Sequence, residues 1–369
     1  MKLNRIAPLG ALLVAGALVL AGCASNEAAA DNSTDASASA STTLSGTING
    51  IGSSAQGTAQ QTWIAGIQSA NPSLNINYDP QGSGAGRKSF ISGAADFAGS
   101  DAALKDEELS GTFAMCAPDT KAIDLPVYIS PIAVAYNVDG VDDLKLDAAT
   151  IAGIFSGKIT KWDDAKIAAL NEGATLPDDR IIVVHRSDDS GTTQNFTEYL
   201  AANAADVWAK EASQTFPYQV GDAAKGTSGV AEAAKNAKNS ITYIDESGIG
   251  TTGLKPAQLK VGDAFVKISA EGAASVVADS PLVEGREAND LAIQINRTDT
   301  QEGAWPLVLV SYLIACQQYQ DAEKGALISS YIQYVAGDAA QQAAAQQAGS
   351  APLSAELSAK VVAAAQSIK

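Results

Sequence analysis

Val183-Val184-His185-Arg186-Ser187-Asp188-Asp189-Ser190-Gly191-Thr192-Thr193 reads as a strand running into a turn rich in glycine and hydroxyls. Phe196, Tyr199, Leu200 and Ala204 follow at helical spacing, so the turn joins a strand to a helix. The pattern occurs twice more. Leu44 to Ile51 alternates with period two and ends in Gly50-Ile51-Gly52-Ser53-Ser54, after which Ala59, Trp63 and Ile67 share one helical face. Leu74 to Tyr78 leads into Gly82-Ser83-Gly84-Ala85-Gly86. Strands interleaved with helices specify an α/β fold with largely parallel sheets.

The start of a helix leaves backbone N–H groups unpaired and carries partial positive charge, which suits it to seat an anion. Glycine allows close backbone approach, and hydroxyls add donors without charge. Ser and Thr are also ordinary helix caps, so each cluster alone fits either reading. Arg186 stands at a strand end four residues before Ser190, where its guanidinium can fork onto an oxyanion, and Asp188 is placed to orient it; a surface ion pair is the alternative. His185 reads as structural. At Phe97-Ala98-Gly99-Ser100-Asp101-Ala102 a strand ends in Ser-Asp. Asp101 is either a turn residue or an acceptor for a protonated oxyanion, since HPO₄²⁻ carries a proton to give and sulfate does not.

The chain has 369 residues, with 24 Lys+Arg against 41 Asp+Glu, a net charge of −17. Such a chain has no general attraction to nucleic acid or to an anionic membrane surface. Hydrophobic residues at 46% against 18% charged place it among globular proteins, and the length favours two domains. A single His argues against a His-based metal site or an imidazole-driven active site.

Lys2 and Arg5 precede an apolar run from Ile6 to Ala21, too short for a comfortable membrane span, that ends in Leu20-Ala21-Gly22-Cys23. This looks like a bacterial lipobox: residues 1–22 form a leader, and Cys23 becomes the lipidated amino terminus. A plain secretory signal is the alternative. Removal of the leader leaves 22 basic and 41 acidic residues, a net charge of −19. Residues 23–43 are dominated by Ala, Ser, Asp, Asn and Thr and read as a flexible tether with a reach of about 25 Å. Cys116 and Cys316 are an even pair in an exported chain, expected to form a disulfide, with two buried thiols as the alternative.

Val127 to Tyr136 and Trp305 to Cys316, apolar and rich in β-formers, are candidates for strands that cross between two lobes. The expected division is 44–130 plus 305–369 for the first lobe and 131–304 for the second. From Ala322 to Lys369 the Ala/Gln-rich composition reads as surface helix broken near Gly349 and Pro352.

Together, Gly82–Gly86, Phe97–Ala102, Ile154-Phe155-Ser156-Gly157-Lys158-Ile159-Thr160-Lys161-Trp162-Asp163-Asp164 and Arg186–Thr193 resemble, in this order, the PstS family. These are the substrate-binding proteins of bacterial phosphate ABC transporters. Ile241–Ile244, Ala304-Trp305-Pro306 and Ala351-Pro352-Leu353 agree more weakly, and the resemblance runs from about Leu44 to the C-terminus. It implies a two-lobed periplasmic-binding-protein fold of type II, with discontinuous domains, closing on one inorganic phosphate. By position, Ser54 would donate from hydroxyl and backbone, the Ala55 N–H beside it, and Ser83 from the second loop. Asp101 would accept the phosphate proton, Arg186 would supply charge and be held by Asp188, and Ser190, Gly191 and Thr192 would cap the ligand. Where the family often has small-Thr-Phe-Pro, this chain has Ser54-Ala55-Gln56, which keeps backbone donors but loses an aromatic shield. The resemblance further implies a non-enzymatic, monomeric, lipid-anchored receptor on the extracytoplasmic face that needs no cofactor and serves membrane permease subunits. A receptor for another tetrahedral oxyanion, an exported phosphatase and a structural or adhesive surface lipoprotein are the competing readings.

Overall fold

A computed structural model describes residues 43–250 and 252–369. The leader, Cys23 and the tether up to residue 42 lie outside the described residues. Strand β1 (Ser45–Gly52), helix α1 (Gly57–Ala70), β2 (Ser73–Asp79), α2 (Ser83–Ser92) and β3 (Phe97–Ser100) form a parallel unit in the order β2-β1-β3. The glycines that end β1 are there for contact. A Cβ on Gly52 would lie 2.0 Å from the Gly99 carbonyl oxygen, and one on Gly50 would lie 2.3 Å from the Phe97 ring. The first two Gly/Ser loops are thereby carried to the same edge of the sheet.

Strand β4 (Ala122–Asn137) is 16 residues long and buried but for its last residue. From Ala122 to Pro131 it pairs antiparallel with the strand Val308–Cys316; from Ile132 to Asn137 it pairs instead with the strand Ser240–Asp245. The change of partner falls at Pro131, which has no N–H to give to a ladder. The pivot is held from the side: Ile132 N–H donates to Leu307 O at 2.8 Å, and Trp305 Nε1 donates to Ile132 O at 3.1 Å. β4 therefore crosses between lobes as its apolar run suggested. Val308–Cys316 does not cross; it stays in the first lobe between β3 and β4.

The second lobe adds helix α3 (Ala148–Phe155), β5 (Ile182–Arg186), α4 (Gly191–Asn203), β6 (Asp222–Ala224), α5 (Gly226–Asn236) and β7 (Ser240–Asp245). With β8 (Val308–Cys316), the main sheet runs β2-β1-β3-β8-β4-β7-β5-β6, and Lys255–Pro256 pairs on β4 as a ninth strand. Aromatic rings fill the second core. Phe155 meets Phe196 edge-on at 4.8 Å, Phe196 stacks on Tyr243 at 4.2 Å, and His185 stacks on Phe216 at 4.1 Å. Trp162, fully buried, donates to Asn239 O at 3.1 Å.

Two expectations change. The C-terminal helices α6 (Ala322–Ala336), α7 (Asp338–Ala348) and α8 (Ala355–Gln366) are not merely surface cover. Ile328, Tyr331, Ile332 and Val335 are buried, and Tyr331 Oη donates to Gln60 Oε1 of α1 at 2.6 Å. The Ala/Gln bias conceals this because Ala packs closely against neighbouring helices. In addition, Leu282–Ile293, assigned by the sequence to the second lobe, is tied to first-lobe strands: Leu291 N–H donates to Asp124 O at 2.9 Å and Ile293 N–H to Tyr312 Oη at 3.0 Å.

Cys116 and Cys316 are bonded, their Cα atoms 5.2 Å apart across 200 residues of sequence. Closing so long a loop restricts the unfolded chain, typically stabilising a protein by about 2–4 kcal/mol. Replacing both by Ser is expected to lower stability by that amount, read as the shift in urea midpoint under non-reducing conditions.

Candidate functional site

Two helix starts meet where the lobes close. Ser83 opens α2, and its Oγ accepts the Asp101 N–H at 3.1 Å, locking the second loop to the end of β3. Gly191 opens α4 from the other lobe. A Cβ there would lie 2.5 Å from both Asp101 Cβ and Ser83 Oγ, so only glycine allows the approach. The backbone also crosses the cleft directly, with Gly84 N–H donating to Asp189 O at 3.1 Å.

Arg186, the last residue of β5, is 4% exposed. Its Nε donates to Asp188 Oδ1 at 2.8 Å and its Nη2 to Asp188 Oδ2 at 2.5 Å. The fork fixes the guanidinium plane, and among the described residues Nη1 has no hydrogen bond to protein. Asp188 also accepts Gly226 N–H at 3.1 Å. Burial pushes the Asp188 carboxyl up, but the Arg186 hydrogen bond and charge, with Gly226, bring it below the usual range.

Ser190 caps α4, its Oγ accepting Thr193 N–H at 3.1 Å while its own proton remains to donate. Its N–H goes to Gln214 O at 3.0 Å. Gly191 and Thr192 are the first two helical residues, whose N–H groups have no intrahelical acceptor. Thr192, 2% exposed, also carries a buried Oγ1 without a partner. Unsatisfied buried groups of this kind are costly unless something completes them.

Asp101 faces these donors. It is 3% exposed, and its Oδ1 accepts Ser311 Oγ–H at 2.6 Å. Burial pushes its carboxyl up; the hydroxyls of Ser311 and Ser53, the Arg186 charge and the Ser83 hydroxyl pull the other way without cancelling the rise. The assembly is one acceptor, one fixed guanidinium and several hydroxyl and backbone donors in a buried cleft. It suits a small oxyanion that carries a proton.

The first loop departs from expectation. The Ser54 hydroxyl is turned away to the second lobe, accepting Thr227 N–H and meeting Thr227 Oγ1, each at 3.1 Å. Thr227 is the second residue of α5 and presents an N–H that the helix cannot satisfy. Ala55 N–H donates at 3.1 Å to Ser53 Oγ, which also accepts Gln56 N–H at 3.4 Å. Ser54 is thus committed to the second lobe, Ala55 is fully buried in the core with its N–H spent on Ser53, and the Ser53 hydroxyl lies nearer Asp101.

Several site residues escaped the sequence reading. Ser311 had a signal, as the lone serine in the apolar run Val308–Cys316. Gly226-Thr227-Ser228 is a fourth cluster of the same grammar at a strand–helix joint. Tyr243, whose Oη meets Thr193 Oγ1 at 2.7 Å and accepts Arg186 N–H at 3.2 Å, lies in the weakly matching Ile241–Ile244 segment but was given no role there. Among the described residues no group of His, Cys, Asp and Glu is placed to hold a metal, and no helix is long and apolar enough to cross a membrane.

Residues 37–339 match the family model for the PBP superfamily domain. The chain is 36% identical over 344 residues to phosphate-binding protein PstS 3 of Mycobacterium tuberculosis, covering 91% of this chain and 92% of that one. It is 34% identical over 373 residues to PstS 2 of the same organism, with both chains covered in full. Among solved structures it is similar in fold to PfluDING, a high-affinity periplasmic phosphate-binding protein bound with phosphate, with a TM-score of 0.70, 24% identity, and 86% of this chain and 93% of that one covered. The chain belongs to the PstS phosphate-binding proteins of the PBP superfamily.

Proposed function

We propose that this protein is a receptor for inorganic phosphate, closing its two lobes on the ligand and presenting it to a phosphate ABC importer without chemical turnover. The observation that carries this reading is the placement of a buried acceptor, Asp101, among donors from both lobes: Ser83, the Arg186 fork, and the Ser190–Gly191–Thr192 helix start. Thr192 Oγ1, lacking a partner, gains one from a bound phosphate oxygen. The Asp101 carboxylate accepts the ligand's proton, whereas fully ionised sulfate would set acceptor against acceptor. The proposed lobes are 44–130 with 305–369 and 131–304, amended so that Leu282–Ile293 goes with the first. Anchoring through Cys23, outside the described residues, action as a monomer, and docking on permease subunits belong to the same reading.

Charge-assisted hydrogen bonds contribute about 1.5–3 kcal/mol each, while a micromolar dissociation constant corresponds to only about −8 kcal/mol. Desolvation and closure absorb the difference. Calorimetric titration with phosphate and with sulfate tests the proposal: strong heat with phosphate alone is expected, and no heat, or equal affinities, overturns it. In the same assay Arg186→Ala is expected to weaken phosphate binding at least about tenfold, the loss of one charge-assisted contact.

A further inference from the structure

Asn195, on the second turn of α4, lies beside the site without belonging to the expected set. It is 2% exposed and spans the lobes. Its Nδ2 donates to Asp101 O at 2.7 Å and, within its own helix, to Gly191 O at 2.9 Å. Its Oδ1 accepts from Arg297 Nη2. Arg297, 8% exposed on the segment leading back to the first lobe, also donates from Nη1 to Val308 O at 2.5 Å and from Nη2 to Glu198 Oε2 at 2.7 Å.

The chemistry fixes the direction of this relay. A guanidinium has only donors, so the face of the Asn195 amide toward Arg297 must be the oxygen. The NH₂ group must then point to the Asp101 carbonyl, which belongs to the residue whose carboxyl faces the ligand. Asn195 also holds the carbonyl of Gly191, whose N–H is among the donors at the start of α4. One amide therefore ties the proton-reading residue of the first lobe to the oxyanion cap of the second, and this bond exists only when the lobes are closed.

We propose that Asn195, oriented by Arg297, is a positioning residue: a latch made on closure that holds α4 on the Asp101 peptide and sets how long phosphate stays bound. The proposal rests on the phosphate-receptor reading above. The bond forms after the lobes meet, so it acts on the dissociation rate and leaves the encounter rate nearly alone. A carboxylate in place of the amide keeps the shape and the Arg297 pair but turns an acceptor toward the Asp101 carbonyl.

The test is stopped-flow measurement of phosphate association and dissociation in the full chain, in Asn195→Asp and in Asn195→Leu, with the ligand-free melting temperature of each. Both variants are expected to release phosphate about tenfold faster or more, with association within about threefold of native and a ligand-free melting temperature close to native. Arg297→Gln, which frees the amide to turn over, is expected to give a smaller change of the same kind. Native phosphate binding with an unchanged dissociation rate in both Asn195 variants overturns the latch alone. A faster release matched by an equal loss of association, or by a lowered ligand-free melting temperature, also overturns it in favour of a merely structural role. A native chain that binds no phosphate overturns the receptor reading and the latch with it.

Discussion

Asp101→Asn is expected to keep phosphate binding but to reduce the preference for phosphate over sulfate by roughly a hundredfold or more. A site built to pair with a ligand proton can reject an analogue lacking it by on the order of 10⁴ to 10⁵, because a buried acceptor is left facing another acceptor. With its oxygen kept on Ser311, the amide turns its NH₂ group to the ligand and can donate to a bare oxygen of sulfate or of phosphate, so the penalty disappears. Asp101 also accepts from Ser311, and an amide oxygen retains that contact. Competition titration of sulfate against phosphate checks the outcome; an unchanged ratio would remove Asp101 from the role. There is a pH corollary. Burial raises the Asp101 carboxyl from its ordinary range, so it takes up a proton as the medium becomes acidic, and the neutral acid can donate to sulfate. Sulfate binding to the native chain should therefore strengthen as pH falls, and Asp101→Asn should lack that dependence.

The second large effect concerns stability. Asp245 ends β7 where that strand meets β4, and it is fully buried. Its Oδ1 accepts from Tyr128 Oη at 3.1 Å and from Ser247 N–H at 3.0 Å, while Oδ2 has no partner. Burial pushes its pKa up to about 7, opposed by the Ser247 and Ser130 hydroxyls and reinforced by the nearby Asp101 charge. The unfolded value is about 3.9. The folded state thus holds a proton that the unfolded chain gives up, so this group's contribution is fully present below about pH 4 and is lost as pH rises through about 7. The shift corresponds to a loss on the order of 4 kcal/mol. Asp245→Asn keeps the shape and removes the linkage. It should match the native chain in acid and exceed it in urea midpoint near pH 8; parallel stability–pH curves for the two proteins would refute this. Asp101, Asp124, Asp290 and Glu246 shift in the same direction through burial, so a decline with pH persists in the variant.

Periodicity and turn chemistry were enough to read the alternation of strands and helices, because each Gly/Ser cluster occurs where a parallel strand hands over to a helix. Arg186 and Asp188 were legible for a similar reason: they are two residues apart, and the pair that the spacing suggests is the pair that forms. Contacts between distant segments were not legible. The Ser54 hydroxyl turns to Thr227, 173 positions away, for the sake of a helix start that only folding brings near. Asn195 and Arg297 look like an ordinary polar helix residue and an ordinary loop cation until burial removes water as their alternative partner. The crossing of β4 showed as an unusually long apolar run, but β8, equally apolar, stays within one lobe. Apolarity records burial on both faces and says nothing about which neighbour is covered.

The change of partner at Pro131 within one unbroken strand has a consequence for signalling. Because both halves of the sheet share β4 and are braced at the same point by Trp305 and Leu307, we propose that the lobes close by rotation about that line. Occupancy of the cleft is then written into a single angle. A second molecule resting on both lobes can read that angle as the gap between its two footholds, distinguishing a loaded chain from an empty one without touching the ligand.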